Sequence, residues 1–67
     1  GSYIEATGRL NVRSGPGLGY DDKGTLLSGS TATYLGEYST DERGVTWYKI
    51  SYNGGSGWVS SRYCTLH

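Results

Sequence analysis

Leu10-Asn11-Val12-Arg13-Ser14-Gly15-Pro16-Gly17 reads as a short strand that stops abruptly. Leu10 and Val12 fall on one face and Asn11 and Arg13 on the other, the period of two expected of a half-buried strand. Gly15-Pro16-Gly17 then ends the ladder, because Pro16 has no N–H and fixes φ while its flanking glycines admit positive φ. Near the other end, Gly57-Trp58-Val59-Ser60-Ser61-Arg62-Tyr63 repeats the logic. Gly57 permits a close backbone approach, Trp58 and Val59 point to opposite faces, and Ser60-Ser61-Arg62 forms a tight turn before Tyr63.

Between these segments the chain keeps to short strands. Ala6 to Ser14 is the first, followed by a long irregular loop from Gly15 to Gly24 and a brief strand at Thr25-Leu26-Leu27. Ser28-Gly29-Ser30 is a turn, Thr31 to Tyr38 alternates, and Ser39 to Gly44 is a polar turn. Trp47 to Tyr52 is the most β-prone stretch. Asn53-Gly54-Gly55 after it is a strong hairpin signal, with Gly57 to Ser60 as the returning strand, because Asn and Gly accept the positive φ that such turns require. Five to six strands at this spacing predict an all-β fold closed, or nearly closed, into a small barrel that hides its strand edges. The alternation assigns Leu10, Val12, Leu26, Ala32, Ile50 and Val59 to the core.

Composition bounds the rest. The chain has 67 residues, enough for one domain that buries about 60% of its unfolded surface. Seven Tyr and two Trp supply much of the apolar content, and twelve Gly imply many turns. Six basic residues balance six acidic ones, so no footprint for nucleic acid or an anionic membrane is present. No long apolar run suggests membrane insertion. The single Cys64 has no internal partner for a disulfide. Gly1-Ser2 looks like a cleavage scar left by protein expression, so the domain is taken as residues 3–67, cut from a longer protein.

Together, in order and at this separation, the two quoted segments resemble the paired signatures of a bacterial SH3 domain, a likeness that runs from about Ala6 to Leu66. The resemblance implies an SH3-like barrel with a long loop after the first strand and at most one 3₁₀ turn near the C-terminus. It also implies a non-catalytic module attached to extracellular, cell-wall or periplasmic bacterial proteins, often wall hydrolases. There it binds peptidoglycan or its stem and cross-bridge peptides, and a linked catalytic domain is a second expected partner. A rival reading from another class makes it a structural or protein-interaction domain that packs against its neighbouring catalytic domain. The family carries an aliphatic residue near the position of Asp22, and this chain departs from that pattern.

Enzyme chemistry finds little to work with. Cys64 and His67 are the one thiol and the one imidazole, three residues apart at the end of the chain, where His67 is expected to fray. A half-buried Cys64 closing the last strand is the expected structural role. Two such ligands cannot fill a tetrahedral zinc shell, and Gly15 to Gly19 lacks the lysine and helix of a phosphate cradle. Asp21-Asp22 and Asp41-Glu42 lack the alternation of a calcium loop. No catalytic residue, metal site or cofactor is therefore expected.

The aromatics carry the binding argument. With Tyr48 and Ile50 on one face, Trp47 and Lys49 turn to the other, where an exposed indole suits a ligand. Trp58 faces away from Val59 and either contacts ligand or caps the barrel end. By the SH3 resemblance Trp58, Ser60 and Tyr63 line a peptide groove, with Ser60 standing where eukaryotic SH3 domains have proline, joined by Trp47 and by Tyr20 from the long loop. Asp21 and Asp22 beside Tyr20 place negative charge there, suited to an ammonium group on the ligand. Arg13 is assigned chiefly to holding the loop through backbone carbonyls, with a carboxylate clamp as the alternative.

Overall fold

Alternation decides which face of each strand is buried, and the computed structural model, which describes residues 2–67, follows it. Seven strands form: β1 (Tyr3–Ala6), β2 (Leu10–Arg13), β3 (Asp22–Leu26), β4 (Thr31–Thr40), β5 (Thr46–Tyr52), β6 (Gly55–Ser60) and β7 (Cys64–Leu66). Every pairing is antiparallel, and the order across the sheet is β3-β2-β6-β5-β4-β1-β7. No helix occurs among the described residues. This is the all-β SH3-like barrel, with seven strands instead of five or six.

The hairpin of β5 and β6 is the backbone of the fold. Its register runs from Trp47 opposite Ser60 to Tyr52 opposite Gly55, leaving Asn53 and Gly54 as a two-residue turn. Both have positive φ, 49° and 77°, which is the mirror-image turn whose twist matches that of the flanking strands. Ile50 lies opposite Gly57, and a Cβ on Gly57 would run into the Cγ1 of Val12. The glycine is thus what lets β2 lie against the hairpin. Leu10, Val12, Ile50 and Val59 are fully buried there, with Leu26, Ala32, Tyr48 and Tyr52 packed around them.

The two extra strands close this core. The stretch expected as one strand from Ala6 to Ser14 is broken at Thr7–Arg9, so that Ala6 ends β1 and Leu10 begins β2. Ile4 and Ala6 of β1 pair with Leu66 and Cys64 of β7 and add Ile4, Ala6 and Cys64 to the core. The Thr7 N–H donates to the Tyr63 carbonyl at 3.0 Å, and the His67 N–H to the Tyr3 carbonyl at 2.8 Å. His67 is therefore tied down: its ring stacks on Tyr3 with centroids 4.8 Å apart and reaches Glu5 Oε1 at 3.0 Å. Gly1, half of the pair read as a scar, lies outside the described residues, whereas the Ser2 carbonyl accepts from the Tyr34 N–H at 3.1 Å.

β4 runs to Thr40, two residues beyond its expected end. Thr31–Thr33 pair with β1, while Tyr34 and Tyr38–Thr40 pair with β5, the register slipping between Tyr34 and Tyr38. A bulge of this kind bends a strand and raises its twist, which allows one long strand to serve both halves of a barrel.

Candidate functional site

On the sheet face opposite Ile50 and Val59, the β5–β6 register brings Trp47 beside Ser60 and Lys49 beside Trp58, and Arg13 follows as the partner of Trp58 on β2. The sequence places Trp47 on this face, as expected, but the indole is not exposed. It is only 2% accessible, because the loop between β4 and β5 folds over it. Asp41 organises that loop. Its Oδ1 accepts the backbone N–H groups of Arg43 and Val45 at 2.9 and 3.0 Å, and its Oδ2 accepts Arg43 Nη2 and the Trp47 Nε1–H, both at 2.9 Å. The Trp47 bond above all holds the Asp41 carboxyl far below the usual carboxylate range. Burial opposes that shift, while the Arg43 guanidinium and the two loop N–H groups add to it.

Trp47 forms part of the wall of a groove of about 270 Å³, together with Ser60 and Tyr63 from the expected site and Leu10, Asn11 and Leu18 beside them. Tyr63 is half exposed. Ser60 is buried and holds the turn that carries Tyr63: its Oγ accepts the Arg62 N–H at 3.2 Å and its carbonyl accepts the Tyr63 N–H at 3.3 Å. The remaining lining is basic, with Arg9, Arg13, Arg43 and Arg62. None of these four was placed in the groove from the sequence. Arg13 does hold the loop, its Nη1 donating to the Tyr20 carbonyl at 3.2 Å.

The other expected site residues stand apart from this groove. Tyr20 lies over Gly15, where a Cβ would meet its ring, and lines a second, more open depression of about 540 Å³ between Pro16–Tyr20 and Ser39–Arg43. Trp58 is half-buried between Arg13 and Lys49 and lines neither depression. Asp21 and Asp22 are exposed and likewise line neither. The Asp21 carbonyl accepts the Ser14 N–H at 2.8 Å, and Asp22 Oδ1 accepts the Gly24 N–H at 2.9 Å across the register slip where β3 meets β2. That bond gives Asp22 a local reason to stand where an aliphatic residue is usual, and it leaves no acidic wall on the groove.

Cys64 and His67 do not meet. The Cys64 thiol donates to the Ser60 carbonyl at 3.2 Å, and burial pushes its pKa up to about 11. His67 is engaged with Tyr3 and Glu5 of β1. Among the described residues no cluster of three or more His, Cys, Asp or Glu has a metal-binding arrangement.

Residues 8–65 match the family model of the bacterial SH3 domain. The chain is 43% identical over 56 residues to a putative N-acetylmuramoyl-L-alanine amidase, YrvJ, of Bacillus subtilis, a match covering 84% of this chain and 10% of that protein. It is 39% identical over 59 residues to serine/threonine-protein kinase D of Synechocystis, covering 82% of this chain and 11% of that protein. The chain thus spans about a tenth of the length of these curated relatives.

Proposed function

The chain belongs to the bacterial SH3 domain family, and from that premise we propose that it is a non-catalytic recognition module that binds peptidoglycan peptides and anchors a linked hydrolase to the bacterial wall. The observation that carries this reading is the groove beside Trp47. Its shape is set in advance, because Asp41 fixes the buried indole behind it and Ser60 fixes the turn bearing Tyr63, which with Leu18 supplies its exposed apolar surface. A preformed groove of this size accepts a short extended peptide with little ordering cost. The amidase relative supports the wall as the place of action, outside the cell. Affinity from one shallow groove is low, yet a tethered enzyme gains from it, since anchoring raises its effective concentration on an insoluble substrate.

A buried thiol with its pKa raised and its S–H donating a hydrogen bond to a backbone carbonyl supports a structural Cys64 and a fragment without chemistry of its own. The kinase relative favours a second reading, in which the module packs against a neighbouring domain or protein and never meets the wall. Sedimentation with purified cell walls separates the two. Specific retention of the purified domain supports anchoring; absence of retention, with tight docking to a sister domain, supports the second reading.

A further inference from the structure

Every arginine in the chain, Arg9, Arg13, Arg43 and Arg62, lines the one groove beside Trp47, and no acidic residue does. They arrive from three separate places: the entry and end of β2, the β4–β5 loop, and the turn after β6. In a chain with six basic and six acidic residues, such convergence raises a local positive potential. Among the described residues only Arg43 is neutralised, by Asp41, while Arg9, Arg13 and Arg62 enter no ion pair. Arg13 holds a buried Nε–H with no acceptor among the described residues.

Resting on the wall-peptide reading above, we infer that this groove selects a peptide by a free carboxylate, seated among Arg9, Arg13 and Arg62 with the adjoining residue against the exposed side chains of Tyr63 and Leu18. The ligand charge is thus negative where Asp21 and Asp22 had suggested an ammonium. The planar guanidinium fork matches a carboxylate in shape, and charge-assisted bonds of this kind are about twice as strong as neutral ones. A long phosphate polymer fits less well, because the positive charge does not continue past the groove. Lys23 donates to the Ser56 carbonyl, Lys49 pairs with Glu37 at 3.3 Å, and the neighbouring depression is lined by Asp41 and Glu42.

The test uses a matched pair of probes, N-acetylated dialanine with a free C-terminal carboxylate and the same compound as its C-terminal amide, followed by the arginine Nε–H and Trp47 indole signals. The acid is expected to shift both sets and to bind roughly tenfold more tightly than the amide, as loss of a charge-assisted bond implies. Arg9→Gln and Arg62→Gln, both at exposed positions, should each weaken the acid and leave the amide unchanged. Equal binding of acid and amide overturns the inference, as does indifference to both substitutions. Tighter capture of poly(glycerol phosphate) at the same signals also overturns it, in favour of a phosphate ligand. Wall sedimentation with the Arg9→Gln/Arg62→Gln double variant keeps the two readings apart. Retention of wild type with undiminished retention of the variant leaves anchoring standing and removes the carboxylate. Absence of wild-type retention removes anchoring alone, because the dialanine pair measures the groove's charge preference directly.

Discussion

Ile50→Ala tests whether the core beneath the groove is what holds this domain together. Ile50 is fully buried, and the substitution removes three carbons, a transfer loss of about 2.4 kcal/mol at roughly 0.8 per methylene. The void adds to that. Across the hairpin Ile50 faces Gly57, which has no side chain to move into the space, and the close contact of Gly57 with Val12 leaves the backbone little room to collapse. The total cost is therefore about 3–4 kcal/mol, within the usual range for such truncations. A 67-residue domain has about 3–10 kcal/mol to lose, so the variant stands at or near the edge of folding. Denaturant unfolding followed by tryptophan fluorescence measures it, and Ile50→Val, expected to cost about 1 kcal/mol, keeps the series measurable if the alanine variant does not fold. A loss below about 1 kcal/mol for Ile50→Ala, with an unchanged denaturant slope, would show that this position is not packed as described.

Gly54→Ala places a Cβ at a φ of 77° and should cost about 1–2 kcal/mol, read in the same unfolding assay; no change would mean that the hairpin turn is of another type. Because the folded Asp41 carboxyl is held below its unfolded value near 3.9, its stabilising effect is fully present above that pH and is lost as pH falls through the folded value. Asp41→Asn should flatten the acid limb of the melting-temperature profile and move the Trp47 indole N–H signal, and an unaltered acid limb would contradict the loop's role. The Cys64 thiol, with its pKa near 11, should resist thiol reagents in the native state at neutral pH and react only on unfolding, and the isolated domain and its Cys64→Ser variant are both expected to release no muropeptides from walls. Release of muropeptides by the wild type that disappears in Cys64→Ser would contradict the recognition role.

How much of this was legible depended on how local the cause is. The β5–β6 hairpin could be read because Asn53-Gly54 carries its own turn chemistry and Ile50 and Val59 alternate around it. All six core positions assigned by alternation lie in the core cluster, Leu26 and Ala32 at its edge. β1 and β7 escaped notice because they are four and three residues long and stabilise each other across the whole chain, Ile4 against Leu66. For Trp47 the alternation gave the correct face but not its cover. Asp41 reaches the indole only because the loop turns back through its bonds to Arg43 and Val45. The arginine cluster was hidden for the same reason, since positions 9, 13, 43 and 62 become neighbours only once β2 lies beside β6.

Titration of the isotope-labelled domain with soluble peptides released from bacterial walls tests the central claim most directly, because it asks both whether wall peptides bind and where. Saturable shifts concentrated at the Trp47 indole, Ser60, Arg62 and Tyr63, weakened by Arg62→Gln, are the predicted result. Absence of saturable shifts, or shifts confined to residues outside the groove such as the exposed Leu35 and Tyr38, would contradict it.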